Sequence, residues 1–532
     1  MNSLFTRTRL GLLGALLVPA LGLGACTDLS VDPYSSVTPE NFYRTETEVI
    51  AALSPVYSQL RATLWAYHNV SQVSSDENIV PTRGSDWYDN GDWLSLHQHS
   101  WTPTLGYLND AWNTSYAGVA RANSLLRDIE PLDVPNKTGL LAEIRGLRAF
   151  YYYTLLDLFG NIPVIGDEEG EYSVDPDNPP ATESRADVFA FVVDELEAIR
   201  GDLPAAGAGN GGRLSQGAVD AMLASLYLNA EVFGGTVTAS GLQRGPAMYA
   251  EAEAAASRVI DGPYSLNQGA EAWLRQFGPD NEDNPEHIFV VQHLAEDGYG
   301  VNFTHRWGHY NSFDGGGWNG FATIAETYNA FDDADPRKRI FLQGQAYNHE
   351  TCDPTLAQDC DEDDAVNNRD GEPLIFTIDF PNGVTPTGGG ASEGNGVRIN
   401  KFILDPEHDT QFNGNDYPYF RLGEMYLIRA EARFRQGNTT GALADVNVIR
   451  QRIGVDPLTA VSLDDILNER LYELTYEARR RQDLIRFDRF VSGDWSFKVG
   501  NNGPSQPYRV LFPVPQLQID ASDGALTQNP GY

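Results

Sequence analysis

Apolar residues recur at helical spacing along most of the chain, and this pattern predicts a mainly helical protein. Val49, Leu53, Val56 and Leu60 form one such stripe and predict a helix over residues 41–64. Similar stripes predict further helices over residues 107–129, 140–159, 184–203, 215–233, 247–260, 421–436 and 442–453.

Residues 265–415 break the helical pattern. They are rich in Gly, Asn, Asp and aromatic residues, and their apolar runs are brief, as in Ile288–Val291. Such a composition predicts loops, short strands and a few short helices. We therefore expect an N-terminal helical region, a loop-rich segment and a C-terminal helical region, over residues 40–264, 265–415 and 416–532.

The stretch 421–454 contains 34 residues that predict a helix, a turn at Gly437-Asn438 and a second helix. This is the length of a tetratricopeptide repeat, although the signature of that repeat is only partly present. One helix pair cannot bury its apolar face alone, so several stacked pairs would form a solenoid. A generic helical array with a chance period is the alternative.

The first residues carry the features of an export signal. Arg7 and Arg9 precede an apolar run, and small residues stand directly before Cys26. This order resembles a bacterial lipobox, which implies cleavage before Cys26 and attachment of lipid to it. An ordinary signal peptide with a chance cysteine is the alternative. The lipobox interpretation makes residues 1–25 a signal peptide and residues 26–39 a tether.

Charge and cysteine content narrow the class of protein further. The formal net charge of −37 would repel nucleic acid and anionic lipid, so nucleic-acid binding is a poor hypothesis. No apolar run after the signal approaches the roughly 18 residues that span a bilayer. Cys352 and Cys360 lie in an acidic, loop-like stretch, and in an exported protein they are predicted to form a disulfide. Two free thiols are the alternative.

Five further segments carry motifs in a defined order along the chain. They are Glu143–Tyr152 continuing to Leu158–Pro163, Phe331–Arg337, Arg421–Ala432, Glu469–Arg486, and Leu511–Gln516 with the ending Gln528–Tyr532. In this order, and together with the lipobox, they resemble the SusD/RagB nutrient-uptake lipoproteins of Bacteroidetes-type outer membranes. The resemblance covers nearly the whole mature chain, but residues 340–415 match no motif.

The resemblance implies a mainly α fold with tetratricopeptide-like helical repeats and a loop-rich, short-strand-containing second part. It also implies a surface-exposed, lipid-anchored outer-membrane protein without catalytic activity. Such a protein captures a nutrient and delivers it to a SusC-like TonB-dependent barrel. An oligosaccharide is our leading hypothesis for the cargo. The alternatives are peptide cargo, as in the RagB branch, a helical-repeat scaffold that binds only proteins, and a surface glycosidase.

Aromatic residues in loops are the candidates for ligand binding. The C–H face of a sugar packs on a flat ring, and Trp and Tyr also offer a polar edge. Two loop-like stretches, 86–93 and 306–321, are dense in such residues, and the second lies in the predicted ligand-binding segment 265–415. The alternative is that each ring is buried under its own loop. The candidates are Trp87, Tyr88, Trp93, Trp307, Tyr310 and Trp318.

No catalytic residue is predicted. With 74 Asp and Glu residues, carboxylate pairs arise by chance. Glu469, Glu473 and Glu477 are spaced four apart, and we expect them to form structural ion pairs between helices. The nearby Arg470, Arg480 and Arg481 are their expected partners.

No metal site or cofactor is predicted either. His305 with His309, and His97 with His99, lack an identifiable third zinc ligand. The acidic run 359–370 resembles a calcium loop but has Asp364 where that loop needs Gly. A solvated acidic loop is the interpretation we favour for that run.

Overall fold

Helices dominate the computed structural model. It describes residues 43, 45–166, 172–175, 177–207, 212–296, 298–408, 410–499 and 504–532. The predicted signal peptide and tether, Cys26 included, lie outside these residues. The helices described are α1 (Glu46–Val73), α2 (Asp92–His97), α3 (Gly106–Ile129), α4 (Lys137–Leu158), α5 (Arg185–Ile199), α6 (Gln216–Leu228), α7 (Ala230–Phe233), α8 (Tyr249–Ile260), α9 (Ala270–Arg275), α10 (Phe303–Trp307), α11 (Ala325–Ala330), α12 (Leu422–Arg435), α13 (Thr439–Arg452), α14 (Leu463–Leu474), α15 (Arg480–Arg486) and α16 (Gln516–Ala521).

The strands are short and pair two by two. Each pair is antiparallel: β1 with β2, β3 with β8, β4 with β7, and β5 with β6. Their bounds are β1 (Thr236–Thr238), β2 (Gly241–Gln243), β3 (His287–Val291), β4 (Phe341–Leu342), β5 (Gly344–Gln345), β6 (Ile375–Phe376), β7 (Arg398–Ile399) and β8 (Tyr417–Arg421). The mainly α fold and the loop-rich, short-strand character of residues 265–415 are thus confirmed.

Helix α1 differs from its predicted bounds at both ends. It begins after Thr45, whose side chain accepts a hydrogen bond from the Glu48 backbone, while the Glu48 carboxylate accepts one from Thr45. This capping box fixes the start. The helix continues to Val73 because residues 66–73 are buried on every side. A helix that is buried all round has no polar face, so the apolar stripe fades there although the helix does not end.

The helices pack in two groups. α1 packs on α3, α3 on α4 and α4 on α5; α6 packs on α8, α8 on α12 and α12 on α13. Between α12 and α13 the chain turns at Gly437, which has a φ of +86°, a conformation that favours glycine. The predicted helix–turn–helix over 421–454 is therefore present.

Two predicted local structures were wrong in detail. The helix over 215–233 is interrupted at Asn229, whose side chain donates to the Ser225 carbonyl and accepts from Arg486. Asn side chains compete with helical backbone bonds in this way. Residues 303–307, which were expected to be loop, form the short helix α10.

The buried strand pair β3–β8 connects the two ends of the loop-rich segment. Both strands are buried along their full length, and β8 runs directly into α12. The loops between β3 and β8 therefore begin and end at neighbouring positions on the helical scaffold.

A group of buried ions centred on Glu473, here the Glu473 network, fixes that junction. Glu473 lies on α14 and accepts hydrogen bonds from Arg421 at 2.5 Å, from Arg337 at 3.3 Å and from Arg452. Burial acts to raise the pKa of Glu473, but the three guanidinium groups hold it well below its ordinary value. The other members are Asp335, Glu286, Glu469, Glu477 and Lys401.

The predicted ion pairs of the three glutamates exist, but their predicted partners were wrong. Arg470 pairs with Asp483 and Glu424, Arg480 with Asp76, and Arg481 with Asp157. The actual partners come from distant parts of the sequence, which spacing within one helix does not reveal. They are Arg337, Lys401, Arg421, Arg450 and Arg452.

We predict that Glu473→Gln lowers the free energy of unfolding by about 3–5 kcal/mol, because removing one member of a buried ion group leaves buried charge uncompensated. Urea denaturation at neutral pH measures this change. The control is Glu271→Gln, which removes an exposed i,i+4 pair with Arg275 and should cost about 0.5 kcal/mol or less. Equal stability of the two variants would contradict the role given to the Glu473 network.

Candidate ligand-binding site

Four of the six candidate aromatic residues are at least partly exposed, and together they are here called the aromatic face: Trp87, Tyr88, Tyr310 and Trp318. The rings of Trp87 and Trp318 have their centroids 6.5 Å apart, and Trp87 Nε1 donates to the Trp318 carbonyl at 2.8 Å. Tyr88 is 45% exposed, and the other three are half-buried. The surface therefore offers flat rings that are held in place and still reachable by a ligand.

The loop that carries Trp87 has an unusual backbone. Trp87, Asp89 and Asn90 have φ values of +62°, +40° and +57°. Such left-handed conformations cost a bulky residue on the order of 1–3 kcal/mol and persist only where the surroundings enforce them. Here the Trp87–Trp318 hydrogen bond holds the loop, and Gly320 leaves room for the ring. A Cβ at Gly320 would lie 2.4 Å from Trp87.

The other two candidates, Trp93 and Trp307, are core residues. Trp307 is 1% exposed and lies in a small cluster with residues such as Leu374 and Phe376. Trp93 is 4% exposed, with its ring 4.1 Å from that of Tyr107. Neither ring is available to a ligand in this structure, so the alternative of burial under a loop applies to these two.

Two buried arginines hold the backbone beside the aromatic face through hydrogen bonds. Arg83 Nη2 and Arg398 Nη1 each donate to the Asn395 carbonyl at 2.9 Å, and Arg398 Nη2 donates to Asn319 Oδ1 at 2.8 Å. Neither makes a salt bridge to a carboxylate within the described residues. Burial lowers the pKa of Arg83 to about 9. Both cations are therefore used to clamp the loop 392–396 next to Trp318.

A polar cluster extends from the aromatic face across that loop. The Tyr310 hydroxyl donates to Asp86 at 3.0 Å, and the Arg369 guanidinium lies 4.6 Å from the centre of the Tyr310 ring. Arg369 also binds Glu393 through its side chain and through its backbone N–H, the latter at 3.0 Å. His309 Nε2 donates to Glu393 at 2.9 Å. This cluster presents fixed donors and acceptors beside the rings.

Tyr88 lines a pocket of about 570 Å³ between residues of the segments 84–98 and 385–387. Its remaining walls carry no charged side chain. They include Leu94, Gln98, Thr385, Pro386 and Thr387. The pocket therefore adds an uncharged surface to the aromatic face.

Sequence reasoning missed two exposed aromatic residues, Trp65 and Tyr299. Trp65 is 36% exposed on α1, with the buried Arg306 5.5 Å from its ring. Tyr299 is 48% exposed, and Arg61 lies 5.3 Å from its ring. Trp65 stands outside the apolar stripe of its helix, which is a signal the sequence did contain. Both extend the exposed aromatic surface beyond the loops first considered.

The histidines that were weighed as zinc ligands are buried and lie among other partners. His97 binds the carbonyls of Asn78 and Ser496, each at 2.8 Å. Burial lowers the pKa of His305 to about 4, so that ring is neutral at ordinary pH. Among the described residues, no group of three or more His, Cys, Asp or Glu side chains is placed to hold a metal ion.

Cys352 and Cys360 form a disulfide, with their Cα atoms 5.6 Å apart. Cys352 lines a separate pocket of about 410 Å³, together with His349 and Asp353. This pocket contains none of the candidate aromatic residues. As for membrane insertion, none of the helices in the described part of the chain is both long and apolar enough to cross a bilayer.

Comparison with known proteins identifies the family to which this fold belongs. A profile of the SusD family matches residues 377–532, and one described as "Starch-binding associating with outer membrane" matches residues 29–206. The chain belongs to the SusD/RagB family. It is 28% identical to the starch-binding protein SusD of Bacteroides thetaiotaomicron, over 87% of this chain and 85% of that protein.

Other relatives and solved structures agree with this assignment. The chain is 22% identical to SusD-like protein P38 of Formosa agariphila, over 90% and 91% of the two chains. A laminarin binding SusD-like protein matches with a TM-score of 0.69 at 23% identity, over 92% of this chain and all of the other. Surface glycan-binding protein A from Bacteroides thetaiotaomicron, in complex with laminarihexaose, matches with a TM-score of 0.66 at 20% identity, over 91% and 99%.

The different burial of the candidates predicts different effects on stability. Trp307→Ala should lower the free energy of unfolding by about 3–5 kcal/mol, because it opens a cavity in a packed cluster. Tyr88→Ala should change it by about 0.5 kcal/mol or less, because the ring is exposed. Urea denaturation of both variants checks this, and a mild effect of Trp307→Ala would contradict its place in the core.

Proposed function

We propose that this protein is a cell-surface, lipid-anchored glycan-binding protein of the outer membrane, which delivers oligosaccharides to a SusC-like TonB-dependent barrel. The single observation that carries the proposal is the Trp87–Trp318 pair. Both rings are half-buried, the Trp87 indole N–H donates to the backbone carbonyl of Trp318, and Trp87 lies on a loop with left-handed backbone conformations. Rigid aromatic platforms lose little conformational entropy when a ligand binds, so they suit the weakly hydrated faces of a sugar chain.

The polar cluster supports the same function. Sugars carry hydroxyl groups in fixed directions, and binding them needs donors and acceptors that are already positioned. Arg369, Glu393 and Asp86 stand beside the rings and supply both kinds of group. The relatives are named for binding starch or laminarin, and one was solved with laminarihexaose, which adds support from similar proteins.

The burial of three closely spaced glutamates fits a binding role without catalysis. A glycosidase needs two carboxyl groups that flank one bond at a defined separation. Glu469, Glu473 and Glu477 are instead buried and engaged by cations in the Glu473 network. The relatives named above are likewise called binding proteins.

The mature protein should bind a glycan, and the variants Trp87→Ala and Trp318→Ala should weaken that binding. We expect a loss of about tenfold or more for each, since an aromatic contact contributes about 0.5–1.5 kcal/mol beyond the apolar area that it buries. Titration calorimetry with starch and laminarin oligosaccharides and with a peptide panel measures it.

The control is Phe380→Leu, a change between apolar side chains at a buried position outside the aromatic face. It should leave the affinity unchanged. Binding to peptides alone would replace the glycan by peptide cargo, and product formation over time would reject the non-enzymatic role.

We predict that Cys26→Ser prevents lipid attachment and releases the protein from the membrane fraction. The reason is that Cys26 is the proposed lipidation site and that the other two cysteines are joined to each other. Labelling with a fatty-acid analogue measures lipid attachment, and cell fractionation measures release from the membrane. Affinity capture of the SusC-like barrel with this protein tests the proposed partner. Retained label in Cys26→Ser would contradict the anchor. The double variant Cys352→Ser, Cys360→Ser should keep the label.

A further inference from the structure

A groove of about 370 Å³ lies beside the aromatic face and shares Arg369 and Glu393 with the polar cluster. The segments 368–377 and 391–395 contribute to its walls, and Arg369 and Glu393, which bind each other, both line it. Ile375, which is 45% exposed, supplies an apolar patch within it. The groove therefore combines an apolar surface with a charged pair, on a loop that buried arginines hold in place.

Arg369 is an accessible polar group in the groove, with half of its side chain exposed. Its guanidinium packs on the Tyr310 ring and binds Glu393 and, at 3.6 Å, Asp86. These contacts fix the plane of the guanidinium while leaving part of it open to solvent. A planar, preoriented guanidinium presents its N–H groups in a fork, and a fork matches two oxygens held side by side.

The charges in the groove do not favour an anionic ligand at this position. Its charged lining consists of Arg83, Arg369, Asp370 and Glu393. Arg83 donates its hydrogen bonds to backbone carbonyls, and Arg369 forms ion pairs with Glu393 and Asp86. These two cations and two anions balance, and each arginine is already engaged, so the groove offers no free positive charge that would select a carboxylate or sulfate. An uncharged group with neighbouring hydroxyls can instead donate to Glu393 and accept from Arg369.

We propose that this groove is a second subsite, which takes an uncharged sugar residue through two neighbouring hydroxyl groups, with Arg369 and Glu393 as their partners. The inference rests on the proposed function, because the sugar in the groove belongs to the same chain that packs on Trp318. The connection between the two positions is short. Asn319 follows Trp318 in the chain and donates to the Glu393 carbonyl at 3.2 Å.

The test uses the mature protein and a ladder of neutral starch and laminarin oligosaccharides of increasing length, titrated calorimetrically. Affinity of the wild type should rise with chain length as the groove becomes occupied. Arg369→Gln should remove that rise and bind the longest oligosaccharide about tenfold more weakly, the usual size of a lost hydrogen bond to a charged group. Arg369→Lys, which keeps the charge but not the fork, should resemble Arg369→Gln.

The matched control is Arg127→Gln. Arg127 is exposed to the same extent as Arg369, with 53% of each side chain accessible, and it pairs only with its neighbours Asp128 and Ser124 among the described residues. This variant should bind the whole ladder like the wild type. If Arg369→Gln also did so, the second subsite would be rejected.

Trp318→Ala separates this inference from the proposed function. Weaker binding at every length in Trp318→Ala, with no effect of Arg369→Gln, would keep the function and reject the groove. Weaker binding in Arg369→Gln alone would keep the groove and reject the aromatic face. If the wild type bound neither the starch nor the laminarin oligosaccharides, both the second subsite and the proposed function would be rejected.

A second arm tests the charge of the ligand. Oligogalacturonate, whose residues carry carboxylates, should bind more weakly than the neutral ladder. Affinity for the neutral ladder should not change when sodium chloride is raised, because salt screens only interactions between charges. Tighter binding of oligogalacturonate, weakened by salt and by Arg369→Gln, would overturn the assignment of an uncharged ligand.

Discussion

The Glu473 carboxylate is the contact on which the arrangement of this protein depends. It lies on a C-terminal helix, yet it binds Arg421 at the end of the central strand pair and Arg337 from the loop-rich segment. Lys401, also from that segment, reaches Glu477 a few residues further on at 2.5 Å. Buried ions need several well-placed partners to offset the loss of hydration, so they tolerate one arrangement and few others. The long loops are thereby tied to the helices at a defined position.

Near the ligand surface, buried cations have a different role. Arg421 and Arg337 are paired with carboxylates, whereas Arg83 and Arg398 are paired with carbonyl oxygens of the loop 392–396. The first kind joins distant segments, and the second kind fixes the shape of one loop. Because loops gain precision only from such supporting contacts, this clamp lets irregular backbone carry a preformed binding surface.

Much of the fold could be predicted because it depends on local periodicity. The stripe in α3 and the turn at Gly437 are properties of a few neighbouring residues, and both predictions hold. The end of α1 at Val73 could not be predicted, since a helix buried on all sides shows no stripe. The partners of Glu473 were also beyond reach, because they lie far away in the sequence.

At the candidate site, too, local sequence patterns could be interpreted, whereas contacts between distant residues could not. Aromatic density directed attention to the loops around residues 87 and 318, but it could not separate exposed rings from buried ones. Trp307 and Trp318 both lie in the aromatic stretch 306–321, and contacts with residues distant in sequence, such as Leu374, make Trp307 part of the core. Trp65 was overlooked because it lies on a helix, although its place outside the apolar stripe marks it as exposed.

A crystal structure of this protein with bound laminarihexaose would test the account most directly. The account predicts sugar rings against Trp87 and Trp318, with the chain continuing into the groove and two neighbouring hydroxyls directed at Arg369 and Glu393. Sugar bound instead in the pocket lined by His349 and Asp353, with the aromatic face empty, would contradict it.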